Sequence, residues 1–250
     1  MSPTIAVFGA GSGLGAAVAR RFGTAGYAVA LVARRKEPLD ALAAELAQDG
    51  VEAAAFAADL SDSAQLPDLI AAITGRFGRI DVIEYAPVGE TLPFSPATDL
   101  TAAGLRPFAE LYLYTPIELV KAVLPQWRAT GSGAILLGQG ATAIQSPPGM
   151  SGVGPVMSAA RHWIHTLNAE LAGTGIYAGT LTIATGIRNS RTYEDMVAAS
   201  PDFASAPSVD PADLAELYWE MLSTRDHPER IHPPQDEWPD LLTGGSESAG

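Results

Sequence analysis

The run Gly9-Ala10-Gly11-Ser12-Gly13-Leu14-Gly15 lies directly behind the apolar segment Ile5–Phe8 and ahead of a helical pattern, and it constrains this chain more than any other feature. A strand that turns through glycines into a helix can fold back tightly and aim the unpaired N–H groups of the helix start at one point. Leu14, Val18 and Phe22 then recur every four residues, the stripe of a helix packed on a sheet.

The same alternation continues downstream. Ala28–Val32 reads as a second strand, followed by a helix with Leu39, Leu42 and Leu46 on one stripe, closed by Gly50. Strands over Val51–Ala57 and Ile80–Tyr85 bracket a helix through Leu66–Ile73. Next come a long helix ending near Leu124-Pro125, a strand Ala134–Leu137, a helix near Val156–Leu171 and a strand Tyr177–Ile183. Ile187–Pro211 shows no clear period and is rich in Ser, Pro and Asp, so it is expected to form a long loop, either an active-site lid or a plain surface excursion. A helix over Asp213–Leu222 and a short edge strand over Glu229–His232 complete the pattern.

The expected fold is α/β: a doubly wound Rossmann arrangement with a mainly parallel sheet of about seven strands. No linker or internal repeat divides the chain, so residues 1–242 are expected to form one domain, with 243–250 a flexible polar tail. A net charge of −13 and a pI of about 4.6 disfavour nucleic acid and anionic membrane surfaces as partners. The chain contains no cysteine, which removes disulfides, thiolate metal sites and thiol nucleophiles. No His, Asp and Glu cluster has metal-ligand spacing, and no metal is expected. The N-terminus shows no basic leader and no window approaches the ~20 apolar residues of a membrane span, so the expected location is the cytoplasm.

Strand, glycine turn and helix in this order predict a dinucleotide site with the pyrophosphate at the helix N-terminus. The spacing G-x-x-x-G-x-G resembles the short-chain dehydrogenase/reductase family, and the likeness extends through Asp59-Leu60, Ile80-Asp81-Val82, Leu124-Pro125 and Asn168-Ala-Glu-Leu171. It implies cofactor contacts from Gly9, Gly11, Ser12, Gly13, Leu14, Gly15, Asp59, Leu60, Ala86 and Pro87. About twenty residues past the turn, where an NAD site carries an acid, stand Arg34 and Arg35. Their forked, permanently charged donors suit a 2′-phosphate, so NADP(H) is preferred over NAD(H). The family also implies a small-molecule substrate and a homo-oligomer, a dimer or tetramer.

Register against the family places its catalytic Asn near Tyr112, its Ser at Gly140, its Tyr at Val153 and its Lys at Met157. A check that needs no alignment agrees: the two lysines, Lys36 and Lys121, are preceded four residues earlier by Val32 and Ile117, so no Tyr-x-x-x-Lys occurs. The catalytic residues are thus unknown, with Tyr85, Tyr112 and Tyr114 as candidate replacements, or simply as volume fillers. Glu84 is either a buried acid or a structural residue, and Gln139 could hydrogen-bond a carbonyl. His162 and His165 lie more than a turn beyond Met157 and read as packing residues. Three functions follow: hydride transfer to a preactivated imine or conjugated acceptor, a non-catalytic NADPH-binding module, or a non-redox enzyme reusing the pocket.

Overall fold

The computed structural model describes residues 2–89, 94–199 and 206–238. In chain order its first half runs β1 (Thr4–Phe8), α1 (Leu14–Thr24), β2 (Ala28–Ala33), α2 (Lys36–Gln48), β3 (Ala53–Ala57), α3 (Leu66–Phe77) and β4 (Val82–Tyr85). The second half runs α4 (Ala102–Ala109), α5 (Thr115–Thr130), β5 (Gly133–Gly140), α6 (Gly154–Glu170), β6 (Ile176–Ile183), β7 (Gly186–Ile187), α7 (Arg191–Ala199), β8 (Ser208–Val209), α8 (Pro211–Thr224) and β9 (Glu229–His232).

A seven-stranded sheet is ordered β3-β2-β1-β4-β5-β6-β9, and every pairing in it is parallel. Both faces are covered, which is why β1 reads as an unbroken buried run rather than an alternating one. One face packs Val7, Leu31 and Leu136 against α1, α2 and α8. The other packs Phe8, Ile83 and Ile135 against α3, α5 and α6. Chain direction across the sheet reverses between β1 and β4, and ligand crevices in such sheets open beyond the strand ends at that reversal.

Two expected strands begin later than the pattern suggests, for local reasons. Val51 donates its N–H to Leu46 O and so finishes the α2 cap rather than starting β3. Both backbone groups of Ile80 are taken by α5, with Gln126 on its N–H and Gln126 and Trp127 on its carbonyl. The helix expected to stop near Leu124-Pro125 runs on to Thr130. Pro125 is exposed, and buried Trp127, two residues on, anchors the continuing helix through its bond to Ile80 O.

Ile187–Pro211 is not a structureless loop. β7 pairs with β8, and α7 starts at Ser190, whose Oγ accepts from Tyr193 N–H at 3.2 Å. That cap, with Glu194 in the first turn, was the available signal for a helix too short to show a period. The expected tail, 243–250, lies outside the described residues. Among those described, no helix is long and apolar enough to cross a membrane.

Candidate cofactor cleft and active site

Gly9 leaves β1 with φ +105°, and a Cβ there would sit 2.8 Å from Ala86 O and from two Pro87 backbone atoms. The strand end of β4 therefore closes onto the glycine turn, and Ala86 N–H donates to Phe8 O at 3.0 Å. Gly15 allows α1 to start beneath that turn, since a Cβ would meet Gly9 O at 2.6 Å. Gly11 differs: a Cβ would find only Gly9 O, at 3.8 Å, so the space above it is open. No side chain caps α1 at Gly13. Beside the turn, Ser12 Oγ donates to Asn189 O at 3.0 Å, and Ser190 packs against Gly13.

Arg34 and Arg35 follow β2 and are exposed at the same end of the sheet. Asp59 follows β3. Hydrogen bonds from Ser61 Oγ and N–H hold its carboxyl below the usual range, with a smaller contribution from Arg34. The buried Thr115 hydroxyl donates to Leu60 O at 2.7 Å, tying this strand end to α5. Gly9–Gly15, Arg34, Arg35, Asp59, Leu60, Ala86 and Pro87 thus share one rim, the C-terminal ends of β1 to β4.

The second group converges next to it. Tyr112, Val153 and Met157 pack in one buried cluster with Ala143 and Val156, and the nearest atom to a Cβ on Gly140 is Met157 Sδ, at 4.0 Å. Tyr112 lies in a π turn, Glu110–Tyr114, inserted between α4 and α5, where Thr115 N–H reaches back five residues to Glu110 O. Pro116 supplies the reason, because it has no N–H to offer Tyr112 O, so the ordinary ladder fails there. A cavity of about 10 Å³, the room of one water, is lined by Tyr85, Tyr112, Leu137, Gly138, Gln139, Met157 and Ala160.

The three tyrosines separate cleanly. Tyr85 is buried and donates its hydroxyl to Leu111 O. Tyr114 is 48% exposed and does not line the cavity. Tyr112 accepts from Gly89 N–H at 3.0 Å, which leaves its own proton to donate. Burial raises its pKa, and the Gly89 hydrogen bond works against that rise.

A model of the short chain dehydrogenase family matches residues 3–197. The chain belongs to that family. It is 30% identical over 223 residues to sulfoacetaldehyde reductase 2 of Chromohalobacter salexigens, covering 87% of each chain. The crystal structure of a short-chain dehydrogenase from Streptomyces avermitilis is 27% identical, with a TM-score of 0.78 over 98% of this chain and 92% of that one. A metagenomic short-chain oxidoreductase solved in complex with NADP shares the fold at a TM-score of 0.73 and 23% identity, over 92% of this chain and 97% of its own. The glycine rim fits a dinucleotide: Gly11 offers open space where a pyrophosphate must approach, and the uncapped start of α1 faces it.

Other polar residues take structural places in this family member. Glu84 is fully buried on β4, neither carboxyl oxygen has a hydrogen-bond partner among the described residues, and burial raises its pKa to about 8. It faces α8, where burial and the nearby Glu84 raise the Tyr218 phenol. His165 lies 3.9 Å from Glu229 and is held below the usual imidazole range chiefly by burial; His162 is exposed. Gln139 is buried beside Thr182. Its amide N–H donates to Thr182 Oγ1 at 2.9 Å.

Proposed function

We propose that this chain is an NADP(H)-dependent oxidoreductase that works without the Asn-Ser-Tyr-Lys set of its family and reduces a preactivated small molecule, an imine or a conjugated acceptor. One observation carries the reading: among the described residues, the ionisable side chains lining the cavity are Tyr85 and Tyr112, and the Tyr85 hydroxyl is already engaged as a hydrogen-bond donor to Leu111 O. With Gly140, Val153 and Met157 beside it, the corner has, among the described residues, no lysine to lower a phenol pKa and no serine to polarise a carbonyl.

Gly9, Gly11, Ser12, Gly13, Leu14 and Gly15 would hold the pyrophosphate, Asp59 and Leu60 the adenine, Arg34 and Arg35 the 2′-phosphate, and Ala86 and Pro87 the wall beneath the nicotinamide ribose. Bound there, the nicotinamide supplies a hydride equivalent. An iminium carbon that takes the hydride and its electron pair becomes an amine with no proton moved. A conjugated acceptor takes hydride at one carbon and needs one proton elsewhere, and Tyr112 holds that proton with its oxygen fixed by Gly89.

Tyr112→Phe is therefore expected to cut turnover of a conjugated acceptor by about 10²-fold or more, the size of a positioned acid, while leaving a protonated imine nearly unaffected. Equal loss on both substrates, followed as NADPH absorbance, would remove Tyr112 from the proton path. Arg34→Asp is expected to weaken NADPH about tenfold to a hundredfold and to spare NADH, since a forked charged pair contributes about 1.5–3 kcal/mol. Fluorescence titration with both cofactors decides it, and parallel weakening overturns the 2′-phosphate assignment.

The narrowness of the cavity supports a second reading, a non-catalytic NADPH-binding module. A protein that binds NADPH yet turns over no imine, enone or ketone would be that module. We also propose a homo-oligomer in which a second copy covers the groove of about 370 Å³ between α5 and α6, lined by Ile117, Leu124, Trp163 and Leu167. Trp163→Arg is then expected to halve or quarter the mass seen by sedimentation, and an unchanged mass would exclude this face.

A further inference from the structure

Gln139 is 5% exposed and lines the cavity with Tyr112 and Met157. The hydrogen bonds beyond it fix which end of its amide is free. Arg161 grips Glu229 with two donors, Nε to one carboxyl oxygen at 2.8 Å and a terminal nitrogen to the other. Burial alone would raise the Glu229 pKa, but the hydrogen bonds and charge of Arg161 outweigh it and keep the group ionised. An ionised carboxylate only accepts, so Thr182, 3.0 Å from Glu229 Oε1, must spend its single hydroxyl proton there.

Thr182 Oγ1 can then only accept, and the donor it meets is the Gln139 amide. The carboxamide cannot turn over without setting its oxygen against the Thr182 oxygen. Its Oε1 is therefore left buried and without a partner among the described residues. A buried acceptor in that state carries a desolvation cost that a ligand donor relieves, and that is how sites reject analogues lacking the donor.

We propose that Gln139 is a specificity-determining residue: its locked carbonyl oxygen accepts a hydrogen bond from an N–H on the ligand, and so favours a protonated imine or its amine product over an aldehyde or ketone. The cavity is about 10 Å³, the room of one water, and the nitrogen end of the ligand would fill it. A carbonyl oxygen in the same place would face Gln139 Oε1, two acceptors with no proton between them. The assignment rests on the reading of this corner as the substrate end of the cleft.

Binding rather than turnover tests it, with matched five-membered rings as probes. Pyrrolidine, protonated at neutral pH, and cyclopentanone are titrated calorimetrically into the NADP-loaded protein. The wild type is expected to bind pyrrolidine at least tenfold more tightly than cyclopentanone. Gln139→Leu is expected to abolish the preference. Thr182→Val, which keeps the shape but frees the amide to turn, is expected to reduce it by improving cyclopentanone. Equal binding of the two probes, no binding of either, or a preference that survives in both variants overturns the inference. The functional reading fails separately. A Gln139-dependent preference with no reduction of any imine leaves a binding site without a reductase, whereas imine reduction indifferent to Gln139→Leu leaves a reductase without this determinant.

Discussion

The unfolding free energy will fall by roughly 4–5 kcal/mol between pH 4.5 and about 8 on account of Glu84 alone. Within that window the folded chain keeps a proton on a buried carboxyl that the unfolded chain has released. The native state therefore binds the extra proton, and stability drops as pH rises. His165 tilts the other way below its ordinary 6.5, since burial lowers its pKa and the unfolded state then binds more protons. The informative quantity is consequently the difference between the wild type and Glu84→Gln, an amide of the same shape that never ionises. Urea denaturation across pH should show the variant matching the wild type at the acid end and exceeding it by roughly 4 kcal/mol near pH 8. Parallel profiles would mean that Glu84 is already ionised in the fold, with water or an ion paired to it.

The second large effect separates glycines that the fold requires from those that a ligand requires. Gly9→Ala combines a left-handed φ of +105° with a Cβ 2.8 Å from three backbone atoms that have no room to retreat. Strain of this kind costs about 3 kcal/mol or more, which for a domain of this size is a fall of roughly 10 °C in Tm. Gly11→Ala meets nothing closer than 3.8 Å and is expected to keep its Tm within about 2 °C. Its methyl stands in the open space assigned to the pyrophosphate, so NADPH affinity is expected to fall by roughly tenfold or more. Calorimetry and NADPH titration on the two variants give opposite patterns. If Gly11→Ala binds NADPH normally, the cofactor does not approach the backbone there.

Much of the frame follows from short-range pattern. The buried stripes Leu39, Leu42, Leu46 and Leu14, Val18, Phe22, and even the edge strand Glu229–His232, sit where period and length place them, because each element buries one predictable face. Pattern failed where a few specific bonds outweighed it. Pro125 looks like a stop and is not, since Trp127 two residues on is held by Ile80. α7 shows no stripe and is started by one serine.

The sequence alone determined the glycine turn, the order of the elements and the absence of any Tyr-x-x-x-Lys, because each is written in neighbouring residues. Tertiary structure decided the rest. It separated Tyr112 from Tyr85 and Tyr114 through Gly89, Leu111 and solvent. It also fixed the free end of Gln139 through Thr182, Glu229 and Arg161, partners 43, 47 and 68 residues apart in sequence. What a polar side chain can offer a ligand depends on which of its hydrogen-bonding atoms are already taken, and those bonds come from strands and helices that only the folded sheet brings together.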